Sequence, residues 1–335
     1  MKPLSDKTDY DLLGALKSGQ PDFVSGEMLA EQLSMSRVSV KSRIDRLREN
    51  GFNIEAVRNR GYRLLSSPIA LQPTALESAL ADREVSLGWE LLDECVSTND
   101  EAMRRLTDGI KSPLVVISRR QTKGRGRLGR QWHSEDDGNL MISFGFRPNR
   151  EPAFMQRFTV FVGLRLASRI SAETGLEVLA KWPNDLLLGG KKLAGILTEA
   201  RLDADRMREL ILGLGLNINS DVEHWPTEVR DVATSLAQAK GGALDMNDIT
   251  ALVVQEVSLA YEDYVHSGIE GELAALWERF SAIRNQSVTI SAREGELVGT
   301  VLGLDSTGAL QLKLESGEER SFAAGDVSIR KFNNK

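Results

Sequence analysis

The segment Gly124–Arg130, which reads GRGRLGR, alternates glycine with arginine and is followed directly by Gln131 and Trp132. Glycine allows the backbone to bend sharply or to approach a ligand closely. Arginine carries a planar fork of hydrogen-bond donors that fits phosphate and carboxylate groups. The segment is therefore predicted to be a loop that closes over an anion, and the alternative is a basic surface turn.

A lysine ends an apolar run in the segment Lys181–Asp185, which reads KWPND. Burying an isolated lysine is costly unless its ammonium group meets an anion. Trp182 and Pro183 would shield that charge from water and so strengthen its electric field. The segment predicts an anion-binding lysine, and the alternative is a hairpin corner at which the ammonium group reaches solvent.

Three further segments carry polar side chains that suit a ligand site. Ser97–Glu101, which reads STNDE, has the pattern of a capping box with Thr98 as the cap, so a plain helix start is the alternative. Gln121 ends a predicted strand just before the glycine loop, where its amide would face a polar ligand. Gly213–Asn219, which reads GLGLNIN, has glycines that let a ligand approach the backbone, and Asn217 is a candidate contact for a nucleotide or magnesium.

Composition excludes several classes of protein. A chain of 335 residues with 41% hydrophobic and 27% charged residues is expected to form two or three globular domains. No apolar run approaches the roughly 18 residues of a membrane helix, and the N-terminus lacks the apolar core of a signal peptide. One cysteine, Cys95, excludes an internal disulfide and a cysteine-based zinc site. The protein is expected to be cytoplasmic, without a membrane partner.

The N-terminal 66 residues have the pattern of a winged helix-turn-helix domain. Helical periodicity, serines placed as helix caps and a turn at Asn59–Gly61 between two short strands support this assignment. The predicted elements are a helix over Asp9–Lys17, a helix that starts after Ser25, a helix from Ser36 to about Asn50, and strands at Phe52–Val57 and Tyr62–Leu65.

This domain is basic although the net charge of the chain is −6. Met35–Arg63 contains eight basic and three acidic residues, which leaves a surplus of five positive charges. Such a module predicts DNA binding, and the alternative is the solvated face of a small helical bundle. Val40, Ile44 and Leu47 are predicted to face the core. The predicted DNA contacts are Ser36, Arg37, Ser39, Lys41, Ser42, Arg43, Arg46 and, from the wing, Arg60.

The remaining chain is predicted to form two more domains, so that the boundaries are 1–66, 67–280 and 281–335. Short connections between the central strand-like runs favour antiparallel neighbours, and the last segment has the short strands of an SH3-like barrel. The fold class is α+β: a winged helix-turn-helix, a central mixed or antiparallel sheet with flanking helices, and a C-terminal SH3-like β-barrel. The predicted central elements are strands at Leu114–Ser118, Leu140–Phe146, Val178–Trp182, Leu186–Leu188, Leu193–Ala200 and Leu210–Ile218, and a helix over Phe154–Glu173.

The segments Gly124–Arg130, Lys181–Asp185 and Lys192–Leu197 resemble the signature motifs of biotin–protein ligases. With its winged helix, the whole chain resembles the bifunctional bacterial members that also repress a biotin operon. The resemblance implies that biotin attacks ATP to give biotinyl-5′-AMP and pyrophosphate, and that a lysine of the biotin carboxyl carrier protein of acetyl-CoA carboxylase then takes the biotin. It also implies a repressor of biotin synthesis genes whose corepressor is biotinyl-5′-AMP and whose adenylate-bound homodimer binds operator DNA.

The resemblance assigns roles to individual residues. Catalytic roles fall to Lys181, Arg127 and Arg125. Biotin contacts are expected from Ser97, Thr98, Asn99, Gln121, Gly124, Arg125, Gly126, Arg127 and Lys181. Contacts to ATP or the adenylate are expected from Arg127, Arg130, Trp132, Lys181 and Asn217. The implied small molecules are biotin, ATP and Mg²⁺; the ion would arrive with ATP near Asn217, and no tightly bound metal is expected.

Two other functions compete with this interpretation. Lipoate or octanoate ligases share the fold and also form acyl-adenylates, but as a rule they lack the winged helix and this glycine-arginine loop. A DNA-binding sensor would hold biotin without using it, and the presence of Lys181, Arg125 and Arg127 argues against that.

Overall fold

The computed structural model describes residues 7–132, 137–151, 157–203, 206–292 and 295–329. Within these ranges, none of the helices is long and apolar enough to cross a membrane. The N-terminal elements are α1 (Lys7–Ser18), α2 (Gly26–Gln32), α3 (Arg37–Glu49), β1 (Asn53–Val57) and β2 (Gly61–Ser66).

The N-terminal elements form the predicted winged helix. The Oγ atoms of Ser25 and Ser36 accept hydrogen bonds from backbone N–H groups three residues later, both at 3.1 Å, so both serines cap their helices as expected. Val40, Ile44 and Leu47 of α3 are fully buried in the small core of this domain. The face of α3 that carries the serines and basic residues is therefore the one left for a ligand.

A short linker leads into the central elements, and its backbone is held by the body of the protein. Asn247 donates from Nδ2 to the backbone oxygens of Pro68 and Ala70, both at 3.0 Å, and its Oδ1 accepts from the backbone N–H of Gln72 at 2.8 Å. The helix that follows, α4 (Pro73–Asp82), contributes Ala75 to the core of the winged helix. The winged helix and the central part are thus joined by buried contacts.

The central sheet has seven strands in the order β3-β4-β5-β9-β8-β7-β6. Every neighbouring pair is antiparallel except β3 and β4, which are parallel and connected through α5. The sheet is therefore mixed, as the sequence indicated, although β3 was not among the predicted strands. The strands and the crossover helix are β3 (Gly88–Cys95), α5 (Thr98–Thr107), β4 (Leu114–Gln121), β5 (Asn139–Phe146), β6 (Val178–Lys181), β7 (Asp185–Leu188), β8 (Lys191–Asp203) and β9 (Arg206–Asn217).

Helices cover both faces of this sheet. On one face, α6 (Phe158–Thr174) and α9 (Met246–His266) bury an aromatic cluster in which Phe146 stacks on Tyr261 with ring centroids 4.0 Å apart. On the other face, α5 packs through Ala102 and Leu106. The first three residues of the predicted helix Phe154–Glu173 lie outside the described residues. The remaining central helices are α7 (Thr227–Arg230), α8 (Leu236–Lys240) and α10 (Glu270–Phe280).

The C-terminal part is a five-stranded antiparallel sheet in the order β13-β12-β11-β10-β14. Its buried residues, including Ile290 and Leu312, belong to the same continuous hydrophobic core as those of the central sheet. The two parts are therefore packed together, and the boundary at residue 280 stays a prediction. The strands are β10 (Ser287–Ala292), β11 (Gly295–Leu304), β12 (Leu310–Leu314), β13 (Glu319–Phe322) and β14 (Asp326–Ile329).

Candidate active site

A cavity of about 310 Å³ lies over the central sheet, beside the glycine-arginine loop. The sequence segments that seemed unrelated along the chain meet here, because α5, the loop and the adjacent strands β7, β8 and β9 all border it. Gly124 and Lys181 are not part of the described lining. The predicted site residues that line the cavity are Ser97, Thr98, Asn99, Gln121, Arg125, Gly126, Arg127, Arg130, Trp132 and Asn217.

A hydrogen-bonded network forms one end of the cavity. The Oε1 atom of Gln121 accepts from the backbone N–H of Thr98 at 2.6 Å and from its hydroxyl at 3.1 Å. Ser143, which is fully buried on β5, contacts Thr98 Oγ1 at 2.7 Å and Asn99 Oδ1 at 2.6 Å. The predicted capping box with Thr98 as the cap is wrong: Ser97 is the helix cap, it makes no side-chain cap bond, and Thr98 turns towards Gln121 instead. A helix does start here, as the alternative stated.

Two carboxylates hold Arg125 at this end. Its guanidinium donates to both oxygens of Asp100, at 2.8 and 2.7 Å, and lies 3.3 Å from a carboxylate oxygen of Glu199. The hydrogen bond with Asp100 raises the pKa of Arg125, and Glu199 adds to that effect, so the side chain stays charged. Glu199 also accepts from Asn99 Nδ2 at 2.6 Å, which links the loop to α5 and β8.

The rest of the loop is closed by its own backbone. The N–H of Gly126 donates to the carbonyl of Arg130 at 2.7 Å, and the N–H of Trp132 donates to the carbonyl of Gly124 at 3.0 Å. A Cβ atom at Gly124 would lie 2.7 Å from the carbonyl oxygen of Trp132, so this glycine acts by close packing and not as part of the cavity wall. Arg127 donates to Asn184 Oδ1 at 3.2 Å, and Arg130 forms an ion pair with Asp326 of the C-terminal sheet.

Glycines on β8 and β9 form a flat surface for the indole of Trp132. Gly195 and Gly215 are paired across the two strands, and a Cβ atom at Gly215 would overlap the indole ring. A Cβ atom at Gly213 would overlap the amide of Asn99. The glycines of Gly213–Asn219 thus admit the protein's own side chains, where the sequence suggested only a ligand. Among the described residues, Trp132 Nε1 is buried without a hydrogen-bond acceptor.

Lys181 lies next to the cavity but outside its wall. It ends β6 and is paired across the strands with Asp185, whose carboxylate forms an ion pair with Lys192 at 2.7 Å. Burial lowers the pKa of Lys181; Asp185 opposes that shift and Lys192 adds to it. Among the described residues, none forms a side-chain hydrogen bond or salt bridge with the ammonium group of Lys181.

Asn217 lies at the other end of the cavity and is buried. Its Nδ2 donates to the backbone oxygen of Thr234 at 2.9 Å, so its amide oxygen is the atom available to a ligand on the cavity side. Within the described ranges, no group of three His, Cys, Asp or Glu side chains is placed to hold a metal ion. A cation here would need most of its ligands from the substrate or from water.

Several of the lining residues were not among the site residues named from the sequence. Asn184, Asp185 and Lys192 belong to the motifs already recognised. Their amide, carboxylate and ammonium groups could therefore have been predicted as site residues from the sequence. Asp326 is more than 190 positions from Arg130, and no local pattern marks it. The segment after β9 forms a further wall that the sequence did not predict, and its lining residues are Trp225, Glu228, Val229, Val232 and Ala233.

The predicted DNA contacts are on the outside of the winged helix. Arg60 stacks over the ring of Phe23, with 4.3 Å between the guanidinium carbon and the ring centroid. Arg43 and Arg46 both form ion pairs with Asp9 of α1, which is itself buried, so these two arginines also fasten α3 to α1. Ser36, Arg37, Ser39, Lys41 and Ser42 are exposed on α3.

Comparisons with known proteins agree with these observations. Residues 94–217 match the biotin/lipoate A/B protein ligase family, residues 9–63 an HTH domain, and residues 284–330 the biotin protein ligase C-terminal domain. The bifunctional ligase/repressor BirA of Bacillus spizizenii is 31% identical over 319 residues, which cover 95% of this chain and 98% of that protein. The biotin–[acetyl-CoA-carboxylase] ligase of Mycobacterium tuberculosis is 31% identical over 77% of this chain and 96% of its own length.

A solved structure supports the same assignment. The biotin protein ligase of Aquifex aeolicus, in complex with biotin and ATP, superposes with a TM-score of 0.62 at 27% identity. The superposition covers 73% of this chain and all of that chain. Together with the winged helix, which the full-length relative includes, these matches show that the chain belongs to the family of bifunctional biotin–protein ligases and repressors.

Proposed function

We propose that the cavity forms biotinyl-5′-AMP from biotin and ATP, and that the biotinyl group then passes to a lysine of the biotin carboxyl carrier protein of acetyl-CoA carboxylase. The observation that carries this proposal is the convergence of Arg125, Arg127, Arg130 and Lys192 on one cavity, with Lys181 paired across the strands with Asp185 of its wall. Two anions must meet in the first step, and preorganised positive charge reduces their repulsion and stabilises the transition state.

The two ends of the cavity suit different parts of the ligand. The hydroxyls and amides of Thr98, Asn99 and Gln121 offer fixed donors and acceptors for the polar bicyclic head of biotin. The biotin carboxylate would then extend towards Arg127 and Lys181, where it attacks the α-phosphate and pyrophosphate leaves. Arg130 would hold the phosphate of the adenylate. No side chain is needed as a covalent nucleophile.

Trp132 and Asn217 complete the proposed adenylate site. The indole of Trp132 covers the glycine surface on β8 and β9, so the loop that carries it also excludes water from the ligand. Shielding matters because the mixed anhydride reacts with water. A ligand that offers an acceptor to Trp132 Nε1 would satisfy a donor that is otherwise buried without a partner among the described residues.

Mg²⁺ would take part as the ion that accompanies ATP. The amide oxygen of Asn217 is the protein ligand that the cavity offers it, and the phosphates and water would complete its shell, as hard cations with oxygen ligands require. The ion would neutralise phosphate charge. We infer that the protein acts in the cytoplasm, where ATP and the carrier protein would both be available to it.

We further propose that the adenylate links the ligase to repression through a homodimer. Lys192 lines the cavity, and its backbone is hydrogen bonded to Val232 and Thr234, at 2.7 and 2.9 Å. Ligand binding at Lys192 would therefore order the Gly189–Lys192 turn together with the adjacent wall and favour the dimer. Two winged helices could then bind a roughly palindromic operator. Sedimentation that shows equally tight dimers with and without adenylate would contradict this coupling.

Pyrophosphate–ATP exchange tests the ligase proposal. Exchange should depend on biotin and not on lipoate, and Lys181→Ala should reduce it at least about 100-fold, since the variant lacks the cation for the reacting anions. Lys111→Ala, which removes an exposed lysine far from the cavity, should leave the rate unchanged. Exchange with lipoate would favour the rival ligase, and exchange with neither acid would favour a sensor.

A further inference from the structure

A second cavity, of about 170 Å³, lies where α6, β8 and the C-terminal sheet meet. Arg127, Asn184, Ile196 and Leu197 line this cavity and also line the main one. The two spaces are therefore separated by the Arg127–Asn184 pair, whose side chains are joined by a single hydrogen bond of 3.2 Å. The adenylate proposed above would lie directly on the far side of that pair.

The wall of the second cavity differs in chemistry from that of the main cavity. Val160, Trp182, Pro183 and Ala323 give it apolar surface, and the hydroxyls of Thr159 and Thr198, which lie 2.7 Å apart, give it polar surface. No carboxylate is among its described lining residues, and Arg127 is its one ionisable group there. The main cavity, in contrast, is lined by Asp185, Glu228 and Asp326.

The C-terminal side of this cavity is held in place by hydrogen bonds. Trp182 Nε1 donates to the backbone oxygen of Gly308 at 3.3 Å, and Arg157 donates to the backbone oxygen of Ser306 at 2.9 Å. The space between the two sheets is therefore a fixed feature of their packing.

The order of the two half-reactions creates a need for such a space. The adenylate fills the main cavity under the closed loop when the second substrate arrives, so the acceptor cannot enter by the route that biotin and ATP used. The second cavity leads to the same reacting centre from another side.

We propose that the second cavity admits the acceptor lysine of the carrier protein, an inference that rests on the proposed function. The side chains of Val160, Trp182 and Pro183 would pack against the methylene groups of the lysine, and a threonine hydroxyl would accept from its amine. Removal from water, the positive charge of Arg127 and a wall without carboxylates all favour the neutral amine, which is the nucleophilic form.

The transfer step then balances without a further reactant. The amine nitrogen attacks the acyl carbon of the adenylate, a carbon–nitrogen bond forms, and the bond from that carbon to the phosphate oxygen breaks. AMP leaves with the electron pair, and the proton released from nitrogen passes to water.

Filling the cavity tests this assignment. Ala323 lies at the exposed mouth, so Ala323→Phe should narrow the passage without disturbing the core. We expect transfer of biotin to the carrier protein to fall at least about tenfold, because steric exclusion acts on the second substrate only. Biotin-dependent pyrophosphate exchange should stay within twofold. Ala324→Phe places the same ring at the next exposed position, outside the cavity lining, and should leave both rates unchanged.

A small nucleophile sharpens the test. Hydroxylamine should consume the adenylate bound to Ala323→Phe at close to the wild-type rate, because it needs less space than a lysine side chain. Unchanged transfer to the carrier protein, or an equal loss in Ala323→Phe and Ala324→Phe, would overturn the proposal. Loss of exchange in Ala323→Phe alone would also overturn it and assign the cavity to ATP. Absence of biotin-dependent exchange in the wild type would instead contradict the proposed function.

Discussion

The three arginines of Gly124–Arg130 each have an oxygen partner on a different element of the protein. Arg125 is paired with Asp100, Arg127 with Asn184 and Arg130 with Asp326. A bound anion would replace a protein oxygen as the acceptor of an arginine. The charged side chains of the loop would therefore not need a large rearrangement to bind a ligand. These protein partners also hold the guanidinium groups near the cavity before the ligand arrives, which reduces the ordering that binding requires.

Lys181 leads to a prediction about pH. Burial lowers the pKa of this lysine, so in the free enzyme it loses its proton at a lower pH than an exposed lysine does. The ammonium form is the one that binds anions, so kcat/KM for biotin-dependent exchange should fall as the pH rises through that lowered pKa. Lys181→Arg should be slower overall but should lose this alkaline decline, because a guanidinium stays charged.

Exchange rates measured from about pH 6 to about pH 11 provide the comparison, since the upper end of that window passes the ordinary lysine pKa of about 10.4. The same alkaline decline in the wild type and in Lys181→Arg would show that another group is responsible.

At the scale of elements, the pairing of β8 with β9 makes the site because it brings two glycines side by side. Gly195 and Gly215 face each other across the strands and leave room for a whole indole ring. Glycine weakens a strand, so two of them in the centre of a sheet indicate that close approach matters more than strand stability.

Gly215→Ala tests this surface. The new methyl group would overlap the indole of Trp132, so the ring must move, and we expect KM for ATP to rise about tenfold with a stability loss of about 1–3 kcal/mol. Gly88→Ala is the matched control, because it is also a strand glycine but has open space around its Cβ position. Thermal unfolding and exchange kinetics give the two readouts. An unchanged KM for ATP in Gly215→Ala would show that the position of Trp132 does not affect nucleotide binding.

In α3, basic side chains can likewise serve either the packing of the domain or the binding of DNA. Asp9 is buried and would be costly to leave unpaired, so Arg43 and Arg46 stabilise the winged helix whatever they do with DNA. Lys41 and Arg37 are exposed, and the hydrogen bonds and ion pairs described above do not involve their side chains. The side chains most available to an operator are therefore those on the first turns of α3.

At the scale of the whole molecule, the linker fixes the position of the winged helix relative to the ligase part, because its backbone is hydrogen bonded to that part. Asn247 uses both ends of its amide on residues 68–72, and Lys17 of α1 reaches Ser78 of α4 at 2.7 Å. The ligase part, which binds the corepressor, thus orients the winged helix.

Asn247→Ala should loosen this connection. It removes four hydrogen bonds from a buried site, three of them to the linker backbone and one to Asp245. We expect a stability loss of about 1–3 kcal/mol and a roughly tenfold weaker affinity for operator DNA, with exchange kinetics within twofold. Asn219→Ala removes a similar pair of backbone contacts, both to Leu244, inside the ligase part and should cost stability without changing operator affinity. Equal operator affinity in the wild type and in Asn247→Ala, measured with adenylate present, would show that the linker does not orient the domain.

The sequence by itself predicted which residues carry the chemistry, because an arginine-glycine loop, a shielded lysine and a basic helix are defined by residue type and local spacing. It also determined the three helices of the winged helix, the long helix that ends near Glu173 and most strands, whose apolar periodicity is local. The helices Pro73–Asp82, Met246–His266 and Glu270–Phe280 were not predicted. Only the tertiary structure decided that β3 pairs with β4 in parallel, that Thr98 serves Gln121 and not its own helix, and that Asp326 holds Arg130. The physical reason is that a polar side chain takes whichever partner the fold brings within about 3 Å, and distance along the chain does not set that choice.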